Sequence, residues 1–171
     1  MEPPILYDTS KHEHLIASMV KCHADCITFE PFMIANFIPP LNNELMTEWW
    51  RRRCNETKND DVLSGTRYII LQLARNSTTG EEEVAGIVML ASAFNENGNF
   101  RGMVEKLLVS PEHRKKGNAG AMMRKLEEVA RQHGKLLLVG IVPRMEIQPR
   151  NNKLADTIFF YKDMRPEDWA P

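Results

Sequence analysis

The sequence predicts an α/β domain organised around one sheet. Three observations carry this: five long apolar, β-branched runs bounded by turn residues, two helical stretches ahead of the first of those runs, and an amphipathic helix between two strands late in the chain.

Ile5 to Tyr7 is a short apolar run, and Ser10 followed by Glu13 is a capping-box pattern that starts a helix. Leu15, Ile16, Met19, Val20, Cys22, Cys26 and Ile27 recur at helical spacing, leaving Lys21 and Asp25 for solvent. The stretch TFEPFMIANFIPP, with three Phe and three Pro, breaks the helix and reads as a structured, partly apolar loop that either covers core or walls a pocket. Helical spacing resumes in LNNELMTEWWRRRC through Leu41, Leu45, Trp49 and Trp50, with Arg51 to Arg53 as a solvated last turn that the helix dipole favours. Thr66 to Ala74 and Val84 to Phe94 make a hairpin across NSTTGEEE. After NENGNFRG, Met103 to Val109 is a strand. Asn118 to His133 is a helix whose Ala119, Met122, Leu126, Val129 and Ala130 share one face, and Gly134 stops it. Lys135 to Val142 and Asp156 to Lys162 complete the sheet, with PRMEIQPRNNK irregular between them.

A chain of 171 residues, 43% hydrophobic and 26% charged, holds enough apolar material for one core, and a single domain over 1–171 is expected. The net charge of -1 supplies no global attraction to nucleic acid or anionic membrane, so neither is expected as a partner and an anion site must be local. Apolar runs fall short of the ~20 residues that span a bilayer, and MEPPILYD lacks the charged start and apolar core of a signal peptide, so a cytoplasmic protein is expected. Cys22, Cys26 and Cys54 read as buried thiols. Cys22 and Cys26 with His23 also permit a metal reading, but their stripe with Leu15 and Met19 calls for small apolar side chains, and no metal is expected.

The turn SPEHRKKGNAG is where chemistry concentrates. A strand ending at Val109 and a helix starting near Asn118 aim unpaired N–H groups and a positive dipole end at one point, which suits an anion. Gly117, Ala119 and Gly120 permit close approach, and Arg114, Lys115 and Lys116 add the charge a diphosphate favours. It is neither a P-loop nor G-x-G-x-x-G. On residues alone, a diphosphate site and a basic turn that only caps a helix both remain.

The spacing Arg114-x-x-Gly117-x-Ala119, after a strand with a central acidic residue and before a helix ending ARQHGK, resembles the acetyl-CoA signature of the GNAT acetyltransferase superfamily. VEKLLVSPEHRKKGNAGAMMRKLEEVARQHGKLLL is similar to the subgroup that includes tabtoxin-resistance acetyltransferases, and DTIFFYK is similar to its last strand. The resemblance implies a mixed, largely antiparallel sheet with helices on both faces, acetyl-CoA as cofactor, and direct acetyl transfer to the amine of a small molecule. It implies that backbone groups around Leu108 and Val109 pair with the pantetheine arm like an added strand. It further implies that amides of Lys115, Lys116, Gly117, Asn118, Ala119 and Gly120 cradle the pyrophosphate, with Arg114 opening the loop. Glu105 is the candidate general base. Alternation places it on the face of Met103, Leu107 and Val109, where a lone carboxylate needs a cleft or a partner. The family's strands carry a glutamate at the position of Met103 or of Glu105, and a merely paired sheet residue is the alternative.

The family normally follows its signature helix with a strand, a helix whose Tyr often serves as general acid, and a Gly-Phe or Gly-Trp turn. Here KLLLV passes straight to GIVPRMEIQP, so Lys135 to Val142 reads as two family strands fused, with the late helix missing. Tyr161 falls in the last-strand motif and takes no acid role. Lost cover exposes a sheet edge through which copies could pair as a homodimer. The alternative function is a truncated or non-catalytic relative that binds CoA or a partner without turnover. A nucleic-acid or protein-interaction module has only the RRR and RKK runs behind it.

Overall fold

Asp8 opens the first helix. Extended at φ -125°, it accepts the Ser10 N–H at 2.9 Å and the Ser10 hydroxyl at 2.6 Å, so the cap lies two residues before the expected Ser10. An ionised carboxylate is the stronger acceptor, and the serine becomes its donor. The computed structural model describes residues 2–29, 36–58, 67–92, 98–143 and 157–165. Helix α1 (Thr9–His12) runs through a 3₁₀ turn at Glu13–Leu15 into α2 (Ile16–Phe29), and α3 (Asn43–Asn55) is capped by Asn42, whose Oδ1 accepts from the Leu45 N–H at 3.0 Å. α3 buries Met46, Trp50 and Cys54, whereas Leu45 is 54% exposed. Of the expected stripe, Trp50 is buried and Leu41 and Trp49 pack against the core, whereas Leu45 turns outward and Met46 takes the buried place at four-residue spacing from Trp50 and Cys54.

Six strands follow in the order β1-β2-β3-β4-β5-β6: β1 (Ile5–Leu6), β2 (Arg67–Arg75), β3 (Glu82–Ser92), β4 (Arg101–Val109), β5 (Leu137–Pro143) and β6 (Thr157–Asp163). Every pairing is antiparallel except β4 with β5, so the sheet is mixed and largely antiparallel, as expected. Helix α4 (Asn118–Gln132) makes the crossover between those parallel strands. α2 and α3 cover one face through Ile69, Leu71, Ile87, Met89 and Leu108. α4 covers the other, packing Met122, Leu126 and Val129 on Ile70, Val88, Leu90 and Leu138. No further helix follows α4 among the described residues, and residues 144–153 of the expected irregular stretch lie outside them. No helix among the described residues is long and apolar enough to cross a membrane.

Two irregularities shape the middle of the sheet. Ile87 pairs with Leu108 and Met89 with Glu105, so Lys106 and Leu107 together oppose Val88, and Lys106 sits at φ 53°. This β-bulge resets the side-chain alternation. Glu105 therefore shares the α2–α3 face with Leu108, while Val109 packs toward α4, which corrects the expectation that Glu105 and Val109 share a face. The second irregularity is that β4 and β5 pair only from Arg101 with Leu137 to Val104 with Gly140. Beyond Val104 the two parallel strands part, and Glu105 to Val109 present a backbone edge without a strand partner among the described residues.

Candidate functional site

The turn after β4 is held by its own atoms. The Ser110 N–H donates to Ala85 O at 2.9 Å, and a 3₁₀ turn spans Pro111–His113. Asn118, only 4% exposed, donates through Nδ2 to His113 O at 2.8 Å, and His113 Nε2 meets Glu83 Oε1 at 2.9 Å. Lys115 at φ 59° and Gly117 at φ 81° take left-handed conformations that swing the chain into α4. Gly117 is the N-cap and offers no side chain; its carbonyl accepts the Ala121 N–H at 3.0 Å. The N–H groups of Asn118, Ala119 and Gly120 therefore lie in the first turn, where the helix supplies them no acceptor and its dipole is positive. Lys115, Lys116, Gly117 and Gly120 are exposed around them.

Arg114 has a more specific position than loop opening implies. Its Nε donates to Val109 O at 3.1 Å, and its guanidinium lies 4.9 Å from the Phe29 ring, tying the strand end to α2. Cys26 Sγ donates to the same carbonyl at 3.3 Å. Because Ser110 bonds across to β3, strand alternation turns the Val109 N–H and carbonyl to the open edge. That carbonyl is already engaged.

Glu105 lies a few residues down the same edge. Its Oε2 accepts from Arg67 Nη1 at 2.5 Å. Arg67 Nε donates to Glu56 Oε2 at 2.7 Å, and Arg53 Nη1 donates to both Glu56 oxygens at 2.7 and 2.8 Å. The side chains of Arg67 and Glu105 are 12% and 33% exposed, so these pairs are shielded from bulk water without being sealed. Lys106 Nζ donates to Asn36 Oδ1 at 2.9 Å and stands 5.7 Å above the Trp49 ring, with the Arg53 guanidinium 5.2 Å from the same ring. Phe37 meets Trp49 edge-on at 5.9 Å. Burial pushes the Lys106 ammonium down, opposed by the attraction of Glu105.

The structure thus brings Glu105, Leu108, Val109 and the 114–120 turn to one side of the parted strands and adds residues that sequence reasoning missed. Arg53 had been expected in solvent with Arg51 and Arg52. Those two are exposed, but Arg53 turns inward to Glu56. A glutamate three residues beyond Arg53 was the available signal. Arg67, Asn36 and Lys106 carried none, since each depends on where the bulge falls. Of the aromatic loop, Phe29 and Phe37 are placed as described, and Phe32 lies outside the described residues.

Cys22, Cys26 and His23 do not converge as a ligand set. Cys22 and Cys26 are buried free thiols, and the hydrogen bond between them pushes the Cys22 thiol up and, with help from Arg114, the Cys26 thiol down. His23 turns instead into a ring of Phe37, Trp49 and Trp50.

Known structures share this fold. An N-acetyltransferase from Staphylococcus aureus Mu50 matches with a TM-score of 0.62 at 14% identity, over 96% of this chain and 100% of its own. The protein yncA of Salmonella typhimurium, solved with its cofactor acetyl-CoA, matches with a TM-score of 0.57 at 13% identity, over 98% and 96%. The PaiA N-acetyltransferase of Thermoplasma acidophilum, in complex with coenzyme A, matches with a TM-score of 0.56 at 10% identity, over 84% and 81%. At these identities the likeness is one of fold. No curated protein is significantly similar in sequence. The profile described as Acetyltransferase (GNAT) family matches residues 35–155, the span from the α2–α3 connection through the parted strands and the left-handed turn, and the chain belongs to that family.

Proposed function

We propose that this chain transfers the acetyl group of acetyl-CoA to the nitrogen of a small amine, with Glu105 as the proton acceptor. Membership of an acetyltransferase family makes acetyl-CoA the cosubstrate. The residues present suit it: the first-turn amides of α4 and exposed Lys115 and Lys116 fit a diphosphate, and the unpaired edge of β4 fits an extended amide-bearing arm. When bound, acetyl-CoA supplies an activated acyl group as a thioester. Glu105 stands on the edge where β4 leaves β5, on the α2–α3 face, and accepts the proton that the amine loses. Arg67 holds the carboxylate in place, and Phe37 and Trp49 keep water from that side. The observation that carries this reading is the parting of β4 and β5 beside the left-handed turn at Gly117.

A second reading, binding without turnover, draws on the Arg67–Glu105 contact, since a carboxylate engaged by a guanidinium can be wholly structural. One experiment separates the two. Release of CoA thiol from acetyl-CoA is followed with a panel of small amines for the wild type and for Glu105→Gln, with acetyl-CoA affinity measured in parallel. Loss of a general base lowers the rate about 10²–10⁴-fold, and here the affinity is expected to hold. A Glu105→Gln variant that keeps full activity across pH takes Glu105 out of the mechanism, and acetyl-CoA binding without release for any amine establishes the second reading.

A further inference from the structure

Among the described residues, the charges around the candidate base do not cancel. Arg53, Glu56, Arg67 and Glu105 form a chain of alternating sign with no net charge. Lys106 comes next in sequence, and no carboxylate pairs with it among the described residues. Its ammonium is served by an amide oxygen, Asn36 Oδ1, and by the face of Trp49. The side chain is half-buried, and that burial disfavours its charge. Among the described residues, Lys106 is therefore a partly desolvated cation without a carboxylate partner beside the candidate base.

The bulge makes that cation a neighbour of the candidate base. In a regular strand Glu105 and Lys106 would point to opposite faces. With Lys106 at φ 53°, the Lys106 side chain reaches Trp49 while Glu105 reaches Arg67, which is joined through Glu56 and Arg53 to that same Trp49 ring. Both side chains therefore work on the α2–α3 face, where the Glu105 carboxylate attracts the Lys106 ammonium, so a molecule that engages both must carry its amine and its anion near each other. A simple cationic amine meets Lys106 as a like charge. An amine with an adjacent carboxylate neutralises it.

We infer that the acceptor is an amine carrying a carboxylate close to its nitrogen, an amino acid or a near relative, and that Lys106 binds this carboxylate while the amine faces Glu105. This rests on the acetyl transfer proposed above and specifies its acceptor. Lys106 is a specificity residue here, and its effect falls on KM.

The test compares kcat/KM for matched pairs that differ only in the carboxylate: glycine with methylamine, leucine with isoamylamine, phenylalanine with phenethylamine. The wild type favours the carboxylated member of at least one pair by about tenfold or more, the size of one charge-assisted hydrogen bond. Lys106→Gln brings that ratio toward one through a higher KM, and Lys106→Glu brings it below one; a thermal shift with acetyl-CoA verifies that each variant is folded. Turnover of the plain amines equal to or better than that of their carboxylated partners overturns this inference and leaves acetyl transfer standing. A preference that survives both substitutions removes Lys106 from recognition and overturns it equally. Acetyl-CoA binding with no CoA release for any compound sinks the inference together with the proposed function.

Discussion

His23 is fully buried, neither ring nitrogen has a hydrogen-bond partner, and Phe37, Trp49 and Trp50 surround it with ring centroids 5.5, 6.1 and 5.7 Å away. Burial first, and the Lys106 ammonium second, push its imidazole down from 6.5 to about 4. At neutral pH it behaves as an aromatic core residue. The unfolded chain takes up this proton near pH 6.5 and the folded chain only near 4, so the stability His23 permits is present above 6.5 and is lost as pH falls through that window. The loss approaches roughly 3 kcal/mol at the lower end. Urea midpoints between pH 7.5 and 4.5 should fall more steeply for the wild type than for His23→Phe, which keeps a ring without the titration; parallel slopes would show that His23 carries no such linkage. Residues of this kind were only half legible in the sequence. The helical stripe placed Cys22 and Cys26 in the core, but the depth of His23 depends on Trp50, and on α3 Met46 takes the buried place expected of Leu45, a residue of similar hydrophobicity.

Local signals located the elements well where each residue type has one job. Helix α4 begins at the expected Asn118, and the long strands begin and end within about two residues of the expected bounds, because turn chemistry such as Asn76, whose Oδ1 accepts the Thr78 and Thr79 N–H groups, punctuates the chain strongly. The bulge in β4 was not legible, since a lysine at positive φ announces nothing in composition, and with it went the face of Val109 relative to Glu105 and the proximity of Lys106. The turn into α4 was legible through Gly117. A Cβ there would meet no atom within 4 Å, so any harm from substitution comes from its φ of 81° alone. Forcing a β-branched residue into that region costs ~1–3 kcal/mol, or moves the turn and the amides of Asn118 to Gly120 with it. Gly117→Val should therefore weaken CoA about tenfold or more by calorimetry while α4, held by Met122, Leu126 and Val129, stays folded by circular dichroism. An unchanged affinity would mean that the turn does not hold the diphosphate.

Across the whole molecule, the sheet is two bodies joined at a narrow seam. β1 to β4 lie between α2–α3 and α4, whereas β5, with β6 beyond it, pairs with β4 over the four residue pairs from Arg101–Leu137 to Val104–Gly140 and sends Leu138 under α4. Further ties among the described residues include Leu136 and Leu137, which donate to Phe100 O, Lys135, which donates to Asn99 O, and Lys162, which reaches Glu127 on α4 at 2.6 Å. A ligand laid along Glu105 to Val109 fills the space where the strands part and bridges both bodies, and it finds no such site in the unfolded chain. Mass action then requires stabilisation of ~2.7 kcal/mol at a hundred times Kd, and at roughly 2–4 °C per kcal/mol for a chain of this size the melting temperature rises by about 5–10 °C. Acetyl-CoA should produce that shift and also slow amide exchange in β5, which pairs with β4 over only four residue pairs. If the melt moves but β5 exchange does not, the ligand is held by the α4 turn without lying between the strands. If neither moves, the parted strands are a feature of the fold that this chain does not use for binding.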